Sequence, residues 1–347
     1  MTEHRPSSPF AIRNVRRFIA FRVCFNARFY YPVFAVLFLD FGLTLEQFAL
    51  LNAAWAATIV LLEVPSGALA DIVGRRNLLV VASVLMIAEL VLLCLAPQGG
   101  GQLLFVIFLA NRVLSGIAEA AASGADEAIA YDALKRDGHP EDWGQVLEKQ
   151  IRYQSMGYVI AMSIGAAVYD PELLNRIMTG LGLSLQFDAA TTLRFPLYLT
   201  LVMAVGALVQ TLGMEDIEFD KTKVERQQDD HSHMVTRTFR MTFRAGRWIL
   251  QTPMALCVIL AGLLFDHVIR VVITLNSQYL RAIHYPEASF GLIGSGLALM
   301  GLFIPKIAER MDARFQPASN FFAVTAMAVT GLTGIAFFWP YFGLLPL

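Results

Sequence analysis

Several ionisable side chains stand inside stretches otherwise built from Leu, Val, Ile, Ala and Phe: Arg28, Glu63, Glu89, Arg112, Glu119, Asp266, His267 and Arg270. An ionised group at the centre of a bilayer costs ~2.5–3.5 kcal/mol on insertion scales, so each needs a partner or a water-filled cavity. A carboxylate so placed can exchange a proton or hold a cation. An arginine can hold an anionic group or neutralise a carboxylate. Arg28, Arg112 and Arg270 balance Glu63, Glu119 and Asp266 in charge. Two readings therefore stand. The charges neutralise one another and fix helix packing, or at least one acid carries a proton or meets a solute. These six residues are the candidate substrate and proton pathway. Glu89 is expected to be peripheral. His267 is expected to be a hydrogen-bonded neighbour, although an imidazole titrates near neutrality and keeps a relay open.

Spacing organises two of these groups. On a helix, Arg112, Gly116, Glu119, Ser123 and Asp126 fall within one polar face about 80° wide, and such a face turns toward an interior. Asp266 and Arg270 are four residues apart, close enough to pair within one helix, and Thr274 and Ser277 continue their side.

The elements that carry these charges are long and apolar. The chain has 347 residues, 56% of them hydrophobic and only 16% charged, with a mean hydropathy of +0.56. Soluble domains carry about 25% charged residues. The apolar residues lie in blocks near the ~20 needed to cross a bilayer. This predicts an all-α polytopic membrane protein with nine spans, roughly 18–41, 45–70, 78–96, 103–125, 146–169, 193–212, 253–280, 288–307 and 320–338. The fourth has room to continue to Leu134. Of the 27 Lys and Arg residues, Arg28, Arg112 and Arg270 lie within spans and Arg176, Arg194 and Arg281 in outer loops. All others, counting Arg22, Lys149, Arg152 and Lys306 at the inner ends of their spans, fall on the side that is cytoplasmic if the N-terminus is, as the positive-inside rule requires. The expected location is therefore the plasma (inner) membrane, multi-pass, with a cytoplasmic N-terminus. No cleaved signal peptide is evident.

Between the second and third spans lies Glu63–Arg76, EVPSGALADIVGRR. Its pattern G-x-x-x-D-x-x-G-R-R (Gly67, Asp71, Gly74, Arg75, Arg76) resembles the signature loop between helices 2 and 3 of the major facilitator superfamily of transporters. Arg112-Val-Leu-Ser-Gly116 resembles the R-x-x-x-G motif of helix 4 in that superfamily. A degenerate echo of the signature loop follows at Ile304–Arg314, as expected for related six-helix halves. The resemblance implies an MFS-type fold with a cytoplasmic segment 1–17, an N-terminal six-helix bundle 18–214, a cytoplasmic linker 215–247 and an incomplete C-terminal bundle 248–347. The chain would stop at the start of helix 10. It also implies that helices 1, 4, 7 and 10 line a central cavity, and that Gly67, Asp71, Gly74, Arg75 and Arg76 form a gating loop. A plain fixed turn is the alternative for that loop.

Gly157, Ala161 and Gly165 recur at four-residue spacing and predict close helix packing. The proline of the glycine-rich antiporter motif is absent from this span, which weakens a multidrug antiport reading. Arg237, Arg240, Arg244 and Arg247 suggest an amphipathic helix on an anionic leaflet. His231 and His233 read as a solvated linker rather than a metal site. Cys24, Cys94 and Cys257 form no disulfide or metal pattern. There is no phosphate-binding loop with Lys-Ser/Thr, no H-E-x-x-H and no nucleophile elbow, so no enzyme, cofactor or nucleic-acid partner is expected. The expected function is secondary active transport of a small solute by alternating access, with protons coupled through Glu119, Asp266 or Glu63. The partners are that solute and the lipid bilayer. The alternative is a non-transporting membrane sensor or a truncated transporter remnant, which the early end of the chain would favour.

Overall fold

The computed structural model describes residues 8–216, 244, 247–300 and 304–344. The secondary structure it describes is helical. The helices are α1 (Arg13–Asn26), α2 (Phe34–Phe41), α3 (Leu45–Val73), α4 (Arg75–Leu95), α5 (Gln102–Ala122), α6 (Ala125–Asp137) and α7 (Trp143–Tyr169). They continue with α8 (Pro171–Gly180), α9 (Ala189–Thr192), α10 (Phe195–Leu212), α11 (Pro253–Ala282), α12 (Glu287–Met300), α13 (Ile304–Arg314) and α14 (Pro317–Ala336). Among the described residues seven spans are long and apolar enough to cross a membrane, counting α1–α2 and α5–α6 as one each. The two other expected spans are α7, whose first half carries Glu148, Lys149 and Arg152, and the shorter apolar α12.

The first span is not the continuous helix expected. It breaks at Ala27–Tyr30 and re-forms through a 3-10 turn at Tyr31–Val33. Pro32 has no N–H to give an interior helical bond. Backbone donors freed by the break cannot stay empty in hydrocarbon. Phe29 N–H donates to Thr200 Oγ1 of α10 at 3.0 Å. Ala35 and Val36 N–H donate to Ser277 Oγ of α11 at 3.0 and 3.4 Å. The break thus ties three spans together and presents Arg28 to the interior. The fourth span also breaks, at Ser123–Gly124, where Gly124 adopts φ +75°. The single polar face expected there is divided between two helices.

Helix starts follow local chemistry. Thr44 and Gln47 form a reciprocal capping box at the start of α3. α1 packs on α7 and α10, while α3, α4 and α5 pack side by side and α4 meets α10. α1 and α7 run parallel, since Phe18 meets Trp143, Val23 meets Gly157 and Phe29 meets Gly165 in the same order. The close packing expected of the Gly157–Gly165 face is present, because a Cβ on Gly165 would collide with the Phe29 carbonyl. α11 contacts α2, and α12 packs on α7 so closely that a Cβ on Gly291 would strike the Met162 backbone. The core between α2, α3 and α5 is aromatic: Phe34, Phe38, Phe48 and Phe108 stack edge to face at 4.7–5.3 Å.

Candidate functional site

Four polar clusters are built on this frame. The first is fully buried. Arg28 is 3% exposed and Glu89 of α4 is 0% exposed. Arg28 Nη1 donates to Glu89 Oε1 at 2.5 Å and to the Tyr30 hydroxyl at 3.3 Å. Asn111 of α5 donates through Nδ2 to Glu89 Oε2 at 3.1 Å and to the Glu89 carbonyl at 3.0 Å. Its own Oδ1 accepts from Arg112 Nε at 3.2 Å. Glu89 is therefore not peripheral. It is the carboxylate that neutralises Arg28, at the centre of a chain running Tyr30–Arg28–Glu89–Asn111–Arg112. Arg112 meets no carboxylate among the described residues. Its guanidinium lies over Phe34 and Phe38 at 5.1 and 5.2 Å, a cation–π arrangement, and its Nη2 finds no hydrogen-bond partner among the described residues.

The second cluster lines a cavity of about 430 Å3 between α1, α3, α5 and α6. Glu63 and Glu119 face it together with Asp126, Glu127 and Arg22. Arg22 pairs with Asp126 at 2.7 Å and Glu127 at 2.6 Å. Glu63 and Glu119 have no cationic partner within bonding distance among the described residues. Gly116 allows α5 to reach α3 above this cavity: a Cβ there would lie 2.8 Å from Thr58.

The third is the expected gating loop. Gly74 adopts φ +94°, between α3 and α4. Arg75 pairs with Asp132 of α6. Arg76 N–H donates to Asp216 Oδ1 at 3.0 Å, and its Nη2 donates to the Leu212 carbonyl at 2.9 Å. The loop is thereby strapped to the middle of α6 and to the C-terminal end of α10. Gly67 has open space around it. The side chain of Asp71 lies outside the described residues, as do His231, His233, Arg237 and Arg240.

The fourth cluster occupies the opposite end of the bundle, and no motif pointed to it. Arg281 of α11 grips both carboxylate oxygens of Asp40 of α2 at 2.6 Å and also pairs with Glu287 of α12. Tyr169 of α7 donates to Asp40, and Ala288 N–H donates to Asp170 Oδ2 at 3.2 Å. Four spans meet there. Arg281 counted in the sequence only as an outer-loop charge.

Asp266 and Arg270 pair within α11 at 3.1 Å, as their spacing predicts, but both are more than 60% exposed. They are not brought together with Arg28, Arg112, Glu63 or Glu119. Among the described residues no group of His, Cys, Asp and Glu could hold a metal ion.

An all-helical bundle with a buried ion pair, a polar cavity and charged straps at both ends, made of spans long and apolar enough to cross a bilayer, is a polytopic membrane protein. The family model of the Major Facilitator Superfamily matches residues 18–347, and the chain belongs to that superfamily. It is a membrane transporter, not an enzyme. Among solved structures, it is similar to a bacterial homologue of the human lysosomal transporter Spinster in an inward-facing, unoccupied conformation, with a TM-score of 0.63 and 17% identity. That likeness covers 98% of this chain and 73% of the homologue. No curated protein matches.

Proposed function

We propose that the protein moves a small solute by secondary active transport and alternating access, coupled to protons through Glu63 and Glu119. The carrying observation is the cavity of about 430 Å3 in which these two carboxylates face open space with no cation bonded to either among the described residues, while Asp126 and Glu127 are held by Arg22. A carboxylate in that position can take a proton or meet a cationic group of the solute. Asp266, occupied by Arg270 on an exposed helix face, is the weaker candidate for coupling.

Two bundles, 18–214 and 248–347, would rock about the 215–247 linker. The Asp40–Arg281–Glu287 cluster holds one end closed while the cavity opens toward the end where the chain begins. The inward-facing state reported for the Spinster homologue supports reading that open end as the cytoplasmic one, and the charge distribution supports a cytoplasmic N-terminus in the plasma membrane. Arg75 and Arg76 would strap the gating loop during this cycle.

The test uses proteoliposomes with a trapped pH dye and a panel of organic cations, zwitterions and anions. Solute gradients should drive proton movement in the wild type, and Glu63→Gln/Glu119→Gln should abolish it. Intact uptake with unchanged pH dependence in the double variant would remove proton coupling through these acids. Binding without movement for every solute that binds would favour a sensor.

A further inference from the structure

A second cavity, about 550 Å3, is cut between α1 and α7 and is lined by residues that the transport pathway does not use. Its chemistry is divided along its length. Arg16 of α1 and Lys149 of α7 stand at one end, Tyr153 follows, and Ile19, Val23, Met156 and Ile160 make most of the remaining wall apolar. The two helices run parallel, so their positions advance in step. Val23 lies seven residues beyond Arg16, and Met156 seven beyond Lys149. At 1.5 Å per residue both are about 10 Å deeper, and Ile160 about 16 Å deeper, than the basic pair. Lys149 Nζ sits 3.7 Å from the centre of the Phe10 ring, and Arg16 is exposed. Neither meets a carboxylate among the described residues; nearby Glu148 is taken by Arg152 at 2.8 Å. Gly157 keeps the floor open, since a Cβ there would press on Val23 at 3.1 Å.

Two unneutralised cations at a mouth, above an apolar trench reaching into the hydrocarbon, complement one kind of molecule. We infer that this groove is a docking site for an anionic phospholipid, whose phosphate lies between Arg16 and Lys149 and whose acyl chain lies along Val23, Met156 and Ile160. The charges supply headgroup selectivity and the trench supplies chain burial. The site is independent of Glu63 and Glu119 and stands whether or not proton coupling does. A lipid there would brace α1 against α7, next to the break that presents Arg28.

The experiment is native mass spectrometry of the full chain titrated with palmitoyl-oleoyl phosphatidylglycerol and, separately, phosphatidylcholine. The wild type should retain one phosphatidylglycerol preferentially. Each basic group near an anionic surface is worth about fivefold in binding, so Arg16→Gln/Lys149→Gln should lower phosphatidylglycerol retention about thirtyfold, toward that of phosphatidylcholine. Met156→Trp, at a position 55% exposed, should fill the trench and weaken both lipids. Helix content and unfolding temperature should be unchanged in both variants. Equal retention of the two lipids by the wild type, or an unaltered preference in the double variant, would overturn the site. Binding of soluble glycerol phosphate as tight as that of phosphatidylglycerol would overturn the role of the trench.

Discussion

Removing Glu89 should be among the most damaging single changes in the protein. Glu89→Ala leaves Arg28, 3% exposed, with the Tyr30 hydroxyl at 3.3 Å and the face of the Phe25 ring at 5.5 Å, and with no carboxylate within bonding distance among the described residues. It also strips Asn111 Nδ2 of its 3.1 Å carboxylate acceptor. Taking one partner from a buried ion pair costs about 3–5 kcal/mol, because the remaining charge stays desolvated and alone. Arg28→Met should cost less than Glu89→Ala, since Glu89 would keep Asn111. Replacing both by apolar groups of similar volume, Arg28→Met/Glu89→Leu, should recover most of the loss, because neither charge then needs solvation. The assay is reversible unfolding of the solubilised protein by titration with a denaturing detergent, for the wild type, the singles Arg28→Met and Glu89→Leu that close the cycle with the double, and Glu89→Ala beside them. A coupling energy of at least about 2 kcal/mol, with the double variant more stable than Glu89→Ala, is the expected outcome. Additive losses, or a cost below about 1 kcal/mol for Glu89→Ala, would mean that water reaches the pair and that the desolvation argument is wrong. Transport by the double variant then separates two roles. A folded double variant that still transports marks the pair as structural; one that folds and does not transport marks Arg28 as part of the pathway.

Arg281→Met should loosen the end of the bundle where Asp40 and Glu287 meet it. The residues are about one-third exposed, so the loss is about 1 kcal/mol at most and the open population at that end rises about fivefold. Pulsed spin-label distances between positions 172 and 284 read this, and an unchanged distribution would remove the cluster as a closure. Gly165→Ala should destabilise the fold by about 1–3 kcal/mol, since its Cβ meets the Phe29 backbone rather than a side chain that can move. Gly67→Ala, with nothing nearby, should raise helix stability by about 0.5–1 kcal/mol. Reduced transport by that stabilised variant would mark Gly67 as a contact made only in another conformation. Asp71→Asn should leave the protein folded and inserted but slow its transport, and wild-type transport rates would remove the gating role of the loop.

The long apolar spans were legible in the sequence because hydrocarbon imposes a one-dimensional constraint. About twenty apolar residues in a row must be helical, whatever they pack against. The Asp266–Arg270 pair was legible for a similar reason, since four-residue spacing on a helix is a local distance. The signature-loop arginines were visible as a motif, while their acceptors Asp132, Asp216 and the Leu212 carbonyl were not.

What tertiary structure alone decided is which charge meets which. Arg28 faced several acids in other spans, and nothing in the spacing selected Glu89, 61 residues away. That choice depends on how far each helix is rotated about its axis and how closely its neighbours approach. Both are set by packing between spans, including the contact of Gly165 with Phe29 and of Gly116 with Thr58. The breaks in the first and fourth spans have the same origin. An interrupted helix is costly in a membrane unless distant groups such as Thr200 and Ser277 satisfy its freed backbone donors. The sequence determined which segments must lie in the bilayer and that their charges need partners. Only the folded chain could place Glu63 and Glu119 on a common cavity and Arg281 across four helix ends, because those neighbours are created by packing.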